Sequence, residues 1–480
     1  MSELFSAMND NTVRTWNGMR TKATSEDDVV DLFYKWGASR GKFKELAPKV
    51  AGAIAADRDL AVRVILWGRD AREGAGERKL FRDTIDFLAE NSLITIEEAR
   101  RILVKVPELG RWDDLIAFEG TALETEAFTF WVEAIRAGNG LASKWAPRKG
   151  AVANKLRKTA GLTPKEYRKL IVANTSVVET AMCAKDWDAI DFSKIPSVAA
   201  ARYQKAFNRN APERYAEYRD ALVKNDPKTT GVKINAGAVY PYDVIRSLRA
   251  GDADVAAAQW DALPNYMEGS ENTRIMPMVD VSGSMWTKAG AGSWGSAKPS
   301  EVSCLDVAVS LGLYISERNE GTFKNEFLTF SARPELIKVK GNLKERMLQM
   351  NASDWGMNTN LIKAFEVMLA SAKRNRVPAD QMPNTLLIIS DMQFDHCARY
   401  DDSAMSSIER QYAEAGYDRP NIVFWNVNAG PGVPVDFKKK GAALVSGFSP
   451  AIMRSILNAG DEFTPIALVK KAVERERYDW

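Results

Sequence analysis

The stretch 275–285, IMPMVDVSGSM, contains the pattern on which the fold depends. Its apolar first half predicts a buried β-strand that carries Asp280 to the carboxyl end. Ser282 and Ser284 follow at a spacing of two and face the same way across a tight turn around Gly283. A carboxylate with two hydroxyls is an oxygen-only donor set that suits Mg²⁺ or Mn²⁺. The alternative for this motif alone is a strand that ends in an ordinary polar turn.

Composition indicates a globular protein. The chain of 480 residues is 45% hydrophobic and 27% charged, which allows two or three compact domains. No apolar run reaches the roughly 20 residues of a membrane helix, and the first residues lack the pattern of a signal peptide. Cys183, Cys304 and Cys397 are far apart and odd in number, which argues against a disulfide framework or a cysteine metal cluster. We therefore expect a cytoplasmic protein without a membrane partner.

Histidine is nearly absent, since His396 is the only one in the chain. A histidine-rich metal centre is therefore excluded, and any histidine-dependent mechanism must use this residue. It follows Asp391 by five positions, but a solvated loop histidine is the simpler interpretation. No GxxxxGK[ST] loop is present for nucleotides, and no second acidic cluster accompanies the predicted cation site for two-metal chemistry. We therefore expect no enzymatic activity.

The segment 143–169 is strongly basic, with nine lysine and arginine residues against one acid, Glu166, in 27 residues. Prolines and glycines divide it into loops around a short helix predicted over 151–159. Lysine and arginine beside an aromatic side chain can hold RNA by neutralising phosphates and stacking on bases. The alternative is a solvated basic surface, which is the common case for a run of charge. The candidate RNA-binding residues are Lys144, Trp145, Arg148, Lys149, Lys155, Arg157 and Lys158.

The two halves of the chain differ in pattern. From about residue 25 to 260, apolar residues recur at helical spacing and predict one helix after another, the first capped by Ser25. No clean repeat period is visible, so HEAT-like stacking of these helices would be degenerate. From Arg274 onward, strand-like runs alternate with helical runs, which predicts a mostly parallel, doubly wound sheet. The fold class is thus α plus α/β, with a helical region over 1–267 and a Rossmann-like domain over 268–480.

The predicted strands are 275–281, 325–330, 335–340, 385–390, 422–427 and 443–448. In a doubly wound sheet, ligands bind beyond the carboxyl ends of the strands. Asp280 and Asp391 both fall at such ends. The expected geometry and the expected ligand chemistry therefore agree.

Two family resemblances meet in this chain. The succession Asp-x-Ser-x-Ser, threonine, aspartate resembles the metal-ion-dependent adhesion site of the von Willebrand factor type A (vWA) domain. The helical half, with RDAREGAGERKLFRD, ELGRWDDL, SKWAPRKG and IPSVAAARYQKAF, is similar to a TROVE-like region that one uncharacterised family joins to a C-terminal vWA domain. The Ro autoantigen is the best-known TROVE relative. The metal ligands that the resemblance implies are Asp280, Ser282, Ser284, Thr359 and Asp391.

The resemblance also implies a function. In Ro-type proteins a ring of helical repeats binds small structured RNAs outside and single-stranded RNA ends in its hole, so an RNA-binding protein with a divalent cation is expected. The alternative is a metal-dependent protein-interaction scaffold without RNA, in which a partner's Asp or Glu completes the coordination of the cation. One departure is the glycine- and serine-rich loop 286–299, which is longer than in typical vWA domains. It could cover the metal or form a lip at its entrance, so the access of a partner to the metal is undecided.

Overall fold

The computed structural model of the chain describes most of its length. The described residues are 11–15, 20–175, 177–195, 197–223, 239–249, 253–268, 274–290, 297, 301–330, 333–352, 361–393, 402–457 and 462–480.

Near the amino terminus lies a short antiparallel hairpin of β1 (Thr12–Arg14) and β2 (Arg20–Lys22). The sequence pattern did not predict it, because three-residue strands are too short to give a periodic signal. The backbone N–H of Val433 donates to the carbonyl of Lys22 at 2.8 Å. The hairpin is thus joined to a distant part of the chain, and this contact is invisible in local sequence.

Helices follow one another through the first half of the chain, as predicted. The first is capped by Asp27 and not by Ser25, because Asp27 Oδ1 accepts the backbone N–H groups of Val29 and Val30 at 3.0 and 2.9 Å. The helices are α1 (Asp28–Trp36), α2 (Phe43–Ala56), α3 (Arg58–Arg69), α4 (Arg78–Glu90), α5 (Ile96–Leu109), α6 (Glu124–Arg136), α7 (Gly140–Trp145), α8 (Ala151–Thr159), α9 (Pro164–Asn174), α10 (Val178–Ala184), α11 (Ser197–Asn210), α12 (Pro212–Val223), α13 (Pro241–Arg249) and α14 (Ala253–Asp261).

The second half of the chain alternates strands with helices. Its strands are β3 (Ile275–Val279), β4 (Glu326–Thr329), β5 (Leu336–Lys338), β6 (Thr385–Ser390), β7 (Asn421–Asn426) and β8 (Ala442–Ser446). Its helices are α15 (Cys304–Arg318), α16 (Leu343–Ala352), α17 (Leu361–Asn375), α18 (Asp402–Glu414), α19 (Met453–Leu457) and α20 (Pro465–Val473).

The six strands form one sheet in the order β5-β4-β3-β6-β7-β8. Neighbouring strands are parallel, except that the edge strand β5 runs antiparallel to β4. The order reverses between β3 and β6, and since parallel crossovers are right-handed, the connections on the two sides of this point cover opposite faces. The predicted doubly wound α/β class and the helical first half are therefore confirmed.

The chain folds into two compact units, which we call the sheet unit and the helical unit. This grouping differs from a single cut between residues 267 and 268, because residues 1–64 and 240–253 belong with the sheet. Within the described residues, no helix combines the length and the apolar character needed to span a bilayer. The sheet unit consists of Met1–Val64, Tyr240–Ala253 and Pro264–Glu476, and the helical unit of Ile65–Val239, Asp254–Leu263 and Arg477–Trp480.

Candidate functional site

The carboxyl ends of β3 and β6 form the first candidate site. These neighbouring strands flank the point at which the strand order reverses, where doubly wound sheets bind ligands in the crevice between diverging loops. Asp280 follows β3 directly, and Asp391 follows β6. The backbone N–H of Asp280 donates to the carbonyl of Ile389 at 3.0 Å, which fixes the two strand ends side by side. The fold therefore brings together the two acids that the sequence singled out.

The turn after β3 holds the carboxylate of Asp280 in place. Its Oδ1 accepts the backbone N–H of Ser282 at 2.8 Å, and its Oδ2 accepts the Ser390 hydroxyl at 2.6 Å. The hydroxyl oxygens of Ser282 and Ser284 lie 3.1 Å apart. Asp280 is only 2% exposed, whereas Ser282 is half-buried and Ser284 is part of the same turn. The two hydroxyls thus lie together, on residues that are more exposed than Asp280.

Asp391 carries the less satisfied carboxylate. Its Oδ1 accepts the backbone N–H of Gln393 at 3.1 Å, but its Oδ2 is buried and has no hydrogen-bond partner among the described atoms. Burial, and then the charge of Asp280, raise the pKa of Asp391 to about 7, while the Gln393 N–H and the Ser284 hydroxyl act in the opposite direction. Burial also raises the pKa of Asp280. Two buried carboxylates side by side repel each other, and either a proton on one of them or a bound cation relieves this repulsion.

The donor set decides which cation fits. Among the residues that the structure describes, no three or more His, Cys, Asp and Glu side chains come together as a possible metal-binding group. The cluster at the strand ends offers carboxylate and hydroxyl oxygens, which suit Mg²⁺ or Mn²⁺ better than Zn²⁺. Thr359 and His396 lie outside the described residues, as does most of the loop 286–299. The role of Thr359 as a ligand therefore stays a prediction.

Two residues of this site were missed by the sequence reasoning. Ser390 is the last residue of β6 and donates to Asp280; the signal was a polar residue that closes an apolar run next to the second acid. Cys304 begins α15, and burial, followed by the charges of Asp391 and Asp280, raises the pKa of its thiol. No local pattern connects a cysteine 24 residues away with the strand end, so only the fold reveals it.

The basic segment of the helical unit divides into exposed and committed side chains. Lys144, Arg148, Lys149 and Lys158 are exposed, and the structure gives none of them an ion pair with any described residue. Lys155 lies 2.9 Å from both Glu119 Oε1 and Glu124 Oε1. Its charge is therefore compensated within the protein.

Arg157 and Trp145 are also engaged in internal contacts. Arg157 Nη1 donates to the carbonyl of Leu162 at 2.9 Å, and its Nε is buried. The guanidinium carbon of Arg111 lies 3.3 Å from the ring centroid of Trp145, which occupies one face of the indole. Of the seven predicted RNA-binding residues, the structure thus leaves the four exposed cations available, and it assigns internal contacts to Lys155, Arg157 and Trp145.

Comparisons with known proteins find likenesses along most of the chain. Residues 275–478 match the model of a domain of unknown function, DUF7788, and residues 152–273 match a second one, DUF2828. Uncharacterized protein L728 of Acanthamoeba polyphaga mimivirus is 26% identical over an alignment of length 527, which covers 96% of this chain and 87% of L728. The crystal structure of the RO (RSR) protein of Deinococcus radiodurans aligns with a TM-score of 0.39 at 14% identity, over 94% of this chain and 100% of that chain. These descriptions name no activity.

Proposed function

We propose that this chain is an RNA-binding protein without enzymatic activity, with a basic RNA surface on its helical unit and a divalent cation in its sheet unit. The observation that supports RNA binding is the set of four exposed cations without an ion pair in the described structure, Lys144, Arg148, Lys149 and Lys158. Because no described residue compensates their charge, they can replace the counterions of a phosphate backbone. The resemblance of the helical motifs to TROVE-like regions points the same way.

Charge reversal tests the RNA surface. We expect that changing these four residues to Glu weakens binding of a short single-stranded RNA by at least tenfold and flattens its dependence on salt concentration. A matched control changes four exposed cations of the sheet unit to Glu, namely Lys324, Lys344, Lys373 and Arg374. Equal losses of affinity in both variants, or an unchanged salt slope in the first, would refute the surface.

The metal part of the proposal depends on the orphaned Oδ2 of Asp391. The residues that would hold Mg²⁺ or Mn²⁺ are Asp280, Ser282, Ser284, Thr359 and Asp391. When bound, the cation would neutralise the two carboxylates and act as a Lewis acid toward a further oxygen ligand. Titration calorimetry should detect Mg²⁺ binding by the wild-type chain and none by Asp280→Ala. The exposed acid Asp380, changed to Ala, is the control, and equal affinities of all three proteins would contradict the site.

A second candidate function is metal-dependent association with a protein. It is favoured by the half-buried position of Ser282, because a cation held there would be within reach of a partner's carboxylate. In this case, association requires Mg²⁺, is lost in Asp280→Ala and is indifferent to nuclease. RNA that co-purifies with the chain and is lost on reversal of the four exposed cations supports the first function instead.

A further inference from the structure

The helical unit contains an arginine cluster outside the basic segment 143–169. Its two carboxylates are those of Asp113 and Asp114, and the guanidinium groups paired with them lie at distances from 2.6 to 3.9 Å. Asp114 is fully buried, while Asp113 lies nearer the surface. The four arginines of the cluster are Arg69, Arg78, Arg82 and Arg111.

The two carboxylates are already saturated by three of the arginines. Asp114 accepts Arg69 Nε at 2.8 Å and Arg82 Nε at 2.9 Å. Asp113 accepts Nε and Nη2 of Arg111 at 2.8 and 2.6 Å, and Arg82 Nη2 lies 3.1 Å from its Oδ2. Four guanidinium groups against two carboxylates leave an excess of positive charge.

Arg78 is the least compensated member of the cluster. Its side chain is 45% exposed, compared with 3% for Arg69, and its Nη1 lies 3.9 Å from Asp113 Oδ2, beyond hydrogen-bond distance. Partial burial and the charges of Arg111 and Arg82 lower the pKa of Arg78, against the opposing effect of Asp113 and Asp114. The guanidinium therefore lies in a field that a bound anion would relieve.

The position of Arg78 in its helix also disfavours a cation. Arg78 is the first residue of α4, where the helix dipole favours negative charge. The side chain of Glu77, at the cap position, makes no capping hydrogen bond to this turn. In the protein alone, the positive charge of Arg78 thus contributes little to stability. Its guanidinium group has N–H donors that make no hydrogen bond to Asp113.

The arginine cluster is continuous with the basic surface through Trp145. The guanidinium of Arg111 stacks on one side of the indole at 3.3 Å from the ring centroid, and Lys144 Nζ lies 5.5 Å from the same centroid. Lys144 is one of the four exposed cations of the RNA surface described above. A polyanion on that surface therefore has a second group of guanidinium donors within the same unit.

We propose that Arg78 binds a phosphodiester group of the RNA, at a site where the neighbouring guanidinium groups of Arg82 and Arg111 add positive charge. A guanidinium group binds phosphate through two parallel N–H donors. Of these three arginines, Arg78 has such a pair uncommitted, because Arg82 and Arg111 donate to Asp113 and Asp114. The inference rests on the proposed RNA function and extends it from the segment 143–169 to the start of α4.

The test is Arg78→Ala in the full chain, with Lys79→Ala as the matched control. Lys79 is the next residue of the same helix, 71% exposed, and pairs locally with Asp83, so its removal changes net charge equally without touching the cluster. The probe is a short oligo-uridylate, and its affinity is measured over a salt series. We expect Arg78→Ala to weaken binding about three- to tenfold and to lower the salt slope by about 0.7, the value for one phosphate of a single strand. Lys79→Ala should change both by much less.

Thermal unfolding checks that Arg78→Ala is folded. We expect it to be, because Asp113 still pairs with Arg111 and Arg82 in the variant. If Arg78→Ala lowers the melting temperature, Arg78→Gln replaces it in the same comparison. Arg78→Lys retains the charge without the forked donors and should recover the slope but only part of the affinity. If the wild-type chain binds RNA and Arg78→Ala weakens this binding no more than Lys79→Ala does, the proposed site is wrong and the RNA function still stands. Absence of any RNA binding by the wild-type chain overturns both.

Discussion

Asp391 combines burial, a neighbouring acid and a carboxylate oxygen without a partner among the described atoms. Its pKa of about 7, compared with an ordinary value of 3.8, means that the folded chain binds a proton more tightly than the unfolded chain does. This group therefore contributes most stability at low pH, and the contribution is lost as the pH rises from 3.8 toward 7. Above that range the folded state must carry an uncompensated buried charge.

We expect Asp391→Asn to stabilise the metal-free chain at pH 8 by about 5 °C and to have little effect at pH 5. The amide has the size of the acid but no charge, so it removes the repulsion from Asp280. Thermal unfolding with a chelator present measures the change, and Asp380→Asn, at an exposed acid, is the control. Addition of Mg²⁺ at pH 8 should stabilise the wild-type chain but not Asp391→Asn. A gain of the same size at both pH values would contradict this account of Asp391.

At the residue scale, sequence reasoning worked where a local pattern carried the signal. Asp280 and Asp391 each end an apolar run, and parallel strands bring such ends to one edge of a sheet. Ser390 was missed because its hydrogen bond to Asp280 depends on the register of the sheet. Cys304 was missed because the effect of the two acids on its thiol depends on the packing of α15. Lys155 and Arg157 were not separated from the exposed cations, because their partners lie elsewhere in the chain or on its backbone.

At the element scale, helix and strand positions were predictable and their junctions were less so. The predicted strand 385–390 coincides with β6, and the predicted helix 151–159 coincides with α8. The capping residue of α1 was assigned to Ser25, because serine and aspartate both cap helices and local sequence does not rank Ser25 against Asp27. The close packing of α15 on β3 had no sequence signature other than a glycine inside a helix.

That glycine gives a prediction about the packing of α15. A β-carbon at Gly312 would overlap Cγ2 of Val279, the residue before Asp280, so helix and strand approach too closely for a methyl group. We expect Gly312→Ala to destabilise the chain by about 1–3 kcal/mol although alanine favours helix by about 1 kcal/mol. Gly52→Ala in α2 is the control, because its β-carbon meets only the exposed Asp28 carboxyl, at 3.1 Å. Chemical unfolding should separate the two variants, and a stabilised Gly312→Ala would disprove the close approach.

At the scale of the whole molecule, chain order and spatial grouping differ. Helix α1 lies far from the sheet in sequence, yet the N–H of Gly37, just after it, donates to Ser446 Oγ in β8 at 3.0 Å. In the helical unit, the buried carboxylate of Asp70 accepts Arg477 Nη2 at 2.9 Å and the Tyr478 hydroxyl at 3.0 Å. A change in sequence pattern divides a chain at one point along its length. The residues in these contacts are more than 400 positions apart, so the pattern could not assign the terminal segments to the unit with which they pack.

The linear and the spatial division lead to different expectations for fragments. A fragment 268–480 lacks α1, so β8 loses its partner at Ser446 and exposes apolar surface. A fragment 1–267 lacks Arg477, so the buried charge of Asp70 loses its ion pair, at a cost of about 3–5 kcal/mol. We therefore expect that neither fragment unfolds cooperatively alone, whereas both co-expressed from one vector assemble and melt near the full chain. Circular dichroism melts of the purified fragments and of the assembled pair measure this, with the intact chain as control. If 268–480 alone melts cooperatively at the temperature of the full chain, residues 1–64 are dispensable for the sheet, and a linear boundary describes the protein better than the spatial division does.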